Sequence, residues 1–263
     1  MGHARPQLSA DPLADERGGE TGATERIDAH WSRFLGVPAS ALRSPGVIVT
    51  AHADLHGYRG IWFFVRGYSA VVSAPSEWVA RLERVCDSAP PGELVSRGWA
   101  TRALGRAAGE MIGPSFQGWL PEAHFRPVAA DSVQRIPESG AAVVSSLQSS
   151  CSPEDWEHGG IDAAAGVADV WASFRGAQVV ALGQLRPRSS GAVDPCVITH
   201  PAHRGQGHAL RLVSAMAKEA LSAGRLVLYQ TLLANVPAVS LALRLGFEQY
   251  ATLLAVRLVP DAG

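Results

Sequence analysis

Residues 203–209 read His-Arg-Gly-Gln-Gly-His-Ala and lie between a β-prone run and a long amphipathic pattern. A strand ends at about Thr199, a short glycine-bearing loop follows, and a helix opens near Gly207. Such a junction aims several backbone N–H groups and the positive end of a helix dipole at one place. That place suits an anion, most often a phosphate.

The flanking pattern extends the unit in both directions. From Gly207 to Ser222, Leu210, Val213, Ala217, Ala220 and Leu221 share one helical face, while Arg211, Ser214, Lys218 and Ser222 share the other, and Gly224 closes the helix. Leu226–Leu232 is a strand, Asn235 caps a short helix with Pro237 in its first turn, Gly246 ends it, and Tyr250–Val259 is a last strand. Upstream, Ala192–Thr199 is a strand, and Asp169–Phe174 with Gln178–Leu185 forms a hairpin around Arg175-Gly176. Gln134–Gln148 reads as helical, and Ser152-Pro153 starts a further helix.

The first half is a smaller α/β layer. Val47–Thr50, Gly60–Arg66 and Ser69–Ser73 read as strands, a helix opens at Pro75-Ser76, and a second runs from about Glu93 to Met111. Residues 114–127 read as a connector. The expected division is a disordered tail over 1–26, an N-terminal α/β domain over 27–126, and a second domain over 127–263.

Composition narrows the function. The 263 residues are 47% hydrophobic with a net charge of −1, so bulk charge favours neither nucleic acid nor an acidic membrane surface. No apolar stretch approaches the ~18–20 residues of a membrane span. Cys86, Cys151 and Cys196 stand far apart and in no metal-ligand spacing, as expected of reduced thiols in a cytoplasmic protein.

Arg204, Gly207 and Ala209 in the loop, Pro201 before them, and Asn235, Ala238, Leu241 and Gly246-Phe247 downstream together resemble the GNAT N-acetyltransferase superfamily. The resemblance covers roughly residues 127–259 and resembles bacterial members that carry an extra N-terminal α/β segment. It implies an α/β (α+β) fold: a GNAT-like mixed twisted sheet flanked by helices. It implies acetyl-CoA as donor and no metal. The pyrophosphate would lie on the backbone of Gly205, Gln206, Gly207, His208 and Ala209, with Arg204 adding a contact or bracing the loop. Val197, Ile198 and Thr199 would line the pantetheine arm between two splayed strands, and Asn235 would approach the same arm or serve only as a helix cap.

Acetyl transfer to an amine needs a neutral nitrogen, hence a general base. Glu157 is the first candidate and His158 the second, within Glu154-Asp155-Trp156-Glu157-His158-Gly159-Gly160; Glu154 and His158 are four apart and share a helical face. Asp194 and His200 are runners-up. The tyrosine that usually protonates the leaving thiolate in the family falls at Ala242 here, which leaves Tyr229 or Tyr250 as candidate acids. His203 and His208 are expected in loop or surface roles. The leading expectation is an N-acetyltransferase acting on a small-molecule amine. The alternatives are a protein acetyltransferase, on a Lys or an N-terminus, and a non-catalytic acyl-CoA sensor. The N-terminal layer could wall the acceptor pocket, pair with a second subunit in a homodimer, or be a degenerate copy of the same fold.

Overall fold

The structure, a computed structural model, describes residues 12–53, 55, 57–137, 140–161 and 170–259. In chain order the elements are α1 (Pro12–Leu35), β1 (Gly46–Ala51), β2 (Gly60–Arg66), β3 (Ser69–Ala74), α2 (Val79–Cys86), α3 (Arg97–Leu104), β4 (Ala108–Trp119), β5 (Val133–Arg135), α4 (Ala141–Gln148), α5 (Pro153–Gly159), β6 (Val170–Arg175), β7 (Gln178–Pro187), β8 (Val193–Thr199), α6 (His208–Ser222), β9 (Leu228–Leu232), α7 (Val236–Leu245) and β10 (Glu248–Leu258). The mixed α/β class matches the expectation.

Two sheets form. One has the order β5-β6-β7-β8 and the other β1-β3-β2-β10-β4-β9. The larger sheet runs through both halves of the chain. The C-terminal strand β10 is antiparallel to β2 on one side and to β4 on the other, and β4 is antiparallel to β9. The 126/127 boundary therefore falls within a molecule whose two halves share one sheet.

Several local expectations change. The tail expected over 1–26 is helical from Pro12, since α1 runs to Leu35; residues 1–11 lie outside the described residues. The anchor of α1 is Ile27, Trp31 and Leu35, buried at a spacing of four against Phe64 and Tyr250. Residues ahead of Ile27 carry no such period, which is why the pattern alone missed them. The helix expected over Glu93–Met111 ends at Gly105, whose φ of 58° breaks it, and Ala108 opens β4 instead of a connector. Gly113, expected as a helix stop, sits in β4, where a Cβ would come within 2.6 Å of the Leu253 carbonyl. The helix expected over Gln134–Gln148 is split into β5 and α4, with Gly140 ahead of the helix. Of the expected hairpin, Asp169 lies outside the described residues.

Helix α6 packs across β7 and β8, burying Leu212, Val213, Met216, Ala217 and Ala220 with Phe116, Leu185 and Phe247. Ser214, expected on the polar face, is buried because the segment at Val128 crosses it; the Val128 N–H donates to Ser214 Oγ at 3.0 Å. On the other face of β7 and β8, α4 and α5 cover Val180-side neighbours such as Leu182, Cys196 and Ile198.

Candidate functional site

Strands β8 and β9 run parallel, and among the described residues their backbones pair at the single bridge Val193–Val227, just ahead of β9, where the Val193 N–H donates to Leu226 O at 2.9 Å. Beyond that vertex they diverge: β8 stays with β7, and β9 stays with β4. A wedge-shaped gap opens between two edge strands. The His200 N–H points at β7, donating to Val180 O at 2.9 Å. By alternation along a strand, the N–H and C=O groups of Val197 and Thr199 face the gap. Pro195 sits in the same phase, where its missing N–H costs no ladder bond.

The loop after β8 leads straight from this gap to α6. Pro201–His203 forms a single 3-10 turn, and Gly205 and Gly207 then take positive φ of 75° and 81°. Side chains other than glycine resist that conformation. The first α6 N–H with a partner is that of Arg211, donating to Gly207 O. Among the described residues, the N–H groups of 205–210 make no hydrogen bond. A consecutive row of free donors at a helix start is an anion cradle. No atom lies within 4 Å of a Cβ placed on Gly205, so the space in front of the loop is open.

Arg204 leans away from this row. Its Nη2 pairs with Asp155 Oδ1 at 2.6 Å and its Nε donates to Thr199 O at 3.4 Å. The Arg204 guanidinium, with help from Ser152, holds the Asp155 carboxyl below the ordinary carboxylate range. His208, expected at the surface, is buried, with Nδ1 2.9 Å from Ser173 Oγ. Burial lowers its pKa, and nearby Arg211, His203 and Arg175 add to that. An open cleft of about 630 Å³ borders the loop, lined by Phe174, Arg175, Gln206, His208, Arg211 and Asp131 among others.

Asn235 caps α7, its side-chain oxygen accepting from the Ala238 N–H at 3.3 Å. Ala242 is fully buried in the cluster that holds Tyr229 and Phe247. Tyr229 lies in β9, 4% exposed, and burial raises its pKa, with Asp194 and Cys196 adding to the rise. Tyr250 is committed elsewhere: its hydroxyl donates to Asp28 Oδ1 at 2.5 Å in the N-terminal layer.

The candidate bases separate. Glu154, Glu157 and His158 are exposed on α5, and their side chains make no bond among the described residues. The end of α5 rests on β8: a Cβ on Gly159 would come within 3.0 Å of Ile198, and one on Gly160 within 3.2 Å of Cys196 Sγ. Asp194 is not free to act as a base. It is 2% exposed and accepts from Arg186 Nη2 at 3.2 Å and Arg188 Nη2 at 2.5 Å. His200 Nδ1 accepts from the Ala202 N–H at 3.1 Å and so belongs to the loop. Burial pushes the Cys196 thiol up to about 11, so it stays protonated at neutral pH. The two arginines beside Asp194 were missed in the sequence. Their signal was present: Arg186, Arg188 and Asp194 are charges on the paired ends of two otherwise apolar runs. Among the described residues no cluster of His, Cys, Asp and Glu could hold a metal, and no helix is long and apolar enough to cross a membrane.

Residues 176–256 match the FR47-like protein family. No curated protein matches the sequence. Among solved structures, the chain is similar to an acetyltransferase of the GNAT family from Colwellia psychrerythraea at 14% identity, covering 76% of this chain and 81% of that one with a TM-score of 0.48. It is also similar to a GCN5-related N-acetyltransferase-like protein from Streptococcus suis 89/1591, at 14% identity over 91% of this chain and 99% of that one, TM-score 0.45. A third similarity, to a GCN5-related N-acetyltransferase from Kribbella flavida, has 16% identity over 62% of this chain and 64% of that one, TM-score 0.45. The FR47-like match runs from the β6–β7 turn through the glycine loop, α6 and the capped α7 into β10.

Proposed function

We propose that the protein is an acetyl-CoA-dependent N-acetyltransferase that moves the acetyl group to a primary amine of a small molecule by direct attack on the thioester. The observation that carries this is the row of unpartnered N–H groups at 205–210, opening directly onto the gap between β8 and β9. The pyrophosphate of the donor would take those N–H groups. Its pantetheine amides would pair with the edge groups of Val197 and Thr199. Arg175 and Arg211, in the adjoining cleft, suit the remaining phosphate of the donor's nucleotide end.

The Val197 N–H is the natural donor to the oxygen of the tetrahedral intermediate, since it faces the gap and has no partner strand there. Glu157 is the proposed base, directly or through a water, with His158 behind it. Tyr229 can donate a hydrogen bond to the departing sulfur. Its raised pKa keeps it protonated, so it serves as a donor more than as a proton source. Cys196 as a protonated thiol argues for direct attack over an acetylated enzyme.

A panel of amines with acetyl-CoA, read by free-thiol release, tests this reading. Turnover with small amines supports it, and turnover with peptides alone replaces it with a protein acetyltransferase. Ala242, wholly buried where the family's acid usually stands, favours one further reading, a non-catalytic acyl-CoA sensor. That reading predicts donor binding with no thiol release for any acceptor.

A further inference from the structure

Among the described residues, the vertex of the gap holds an uncompensated positive charge. Asp194 is the single carboxylate there, and it accepts from both Arg186 and Arg188. Arg188 also reaches across the vertex and donates to Gln230 Oε1 in β9 at 3.1 Å. No other carboxylate pairs with either arginine among the described residues. The neighbouring Cys196 is a neutral thiol and balances nothing. Two guanidiniums against one carboxylate leave a net charge of one.

The arrangement also leaves donors open. All bonds from both side chains run through Nη2, so both Nη1 groups are free among the described residues, and both Nε atoms are buried without a partner. Only the two Nε donors are buried without an acceptor, a cost that an arriving oxygen would offset. The guanidinium ends are reachable, since the side chains of Arg186 and Arg188 are 41% and 28% exposed. Gly160 lies beside this cluster: a Cβ there would stand 3.7 Å from Arg186 Nη1 and 3.2 Å from Cys196 Sγ.

The position matters as much as the charge. A donor that enters past the 205–210 loop and runs along Thr199 and Val197 brings its thioester to within three residues of Asp194 along β8, on the way to the vertex. We propose that Arg186 and Arg188, oriented by Asp194, bind a carboxylate on the acceptor, so that the acceptor is an amino acid or another amine bearing a carboxylate. This rests on the acetyltransferase reading above. Asp194 is then a positioning residue that aims two forks at a planar anion. A polycationic amine is disfavoured by the same charge.

The test uses the full chain, acetyl-CoA and thiol release, with amino acids compared against their own amides and decarboxylated amines. Removing the carboxylate should lower kcat/KM by about ten- to a hundredfold. Arg186→Gln should raise KM for the amino acid with little change in kcat, and should shrink the preference for acid over amide. Arg186→Lys, which keeps the charge without the fork, should fall between, and an unchanged affinity for acetyl-CoA in both variants shows that they fold. Amides turned over as well as acids overturn the carboxylate site while leaving acetyl transfer intact. Donor binding with no thiol release from any amine overturns both.

Discussion

Arg204 Nη2 lies 2.6 Å from Asp155 Oδ1, and this pair ties the glycine loop to helix α5 above β8. Two segments some 50 residues apart in the chain thus meet at the loop.

Asp155→Asn should weaken acetyl-CoA binding by about threefold, the scale of an exposed ion pair, with kcat little changed. The pair also sets a pH signature. Arg204, and after it Ser152, lower the Asp155 pKa, so the pairing is complete above the ordinary value of about 3.9 and is lost only as pH falls through the depressed one. The ratio of wild-type to variant donor affinities should therefore be flat between about pH 5 and 9. Titration of acetyl-CoA at several pH values measures it.

His208 acts on the same acidic side of the pH range, beginning at a higher pH. Burial lowers its pKa below the ordinary value of about 6.5, so below that pH the unfolded chain binds a proton that the folded chain refuses. Its contribution is a loss of stability as pH falls through about 6.5 toward the depressed value. Thermal melts at pH 5 and pH 8 should differ less in His208→Gln than in the wild type.

Glu157→Gln should lower turnover at saturating donor by about a hundredfold, the usual worth of a general base. Donor affinity should not move. A variant whose rate matches the wild type removes Glu157 from the mechanism and passes the role to His158.

Cys196→Ala should keep turnover within about threefold, because a thiol held near 11 is not the attacking group at neutral pH. Intact mass after mixing with acetyl-CoA alone should show no acetylated protein. An acetyl adduct that disappears in the Ala variant would contradict direct attack.

What the sequence disclosed follows from the range of the forces involved. The glycine loop, α6, and the Asn235 cap with Gly246 are set by local backbone demands, so spacing and residue type expose them. Strand β4 was hidden because its role is long-range. Its Ser115 aligns with Leu253, 138 residues away, and its first residues, Ala108 to Met111, look as helical as they look extended. Helix α1 was hidden because its apolar stripe begins only at Ile27. Arg186, Arg188 and Asp194 looked like ordinary strand-end charges. Only the pairing of Arg186 with Asp194, and the closeness of β9 at the vertex, turns them into one cluster around a buried carboxylate.

The central claim is that the loop at 205–210 cradles the donor's pyrophosphate. Calorimetric titration of acetyl-CoA into the wild type and into Gly207→Val, with thermal melts to show that both fold, tests it most directly. A β-branched residue at a φ of 81° must move the loop, so the account predicts micromolar-range binding by the wild type, on the order of typical acyl-CoA substrates, and none measurable in the variant. Equal affinity in a folded Gly207→Val protein would contradict the cradle and, with it, the donor site.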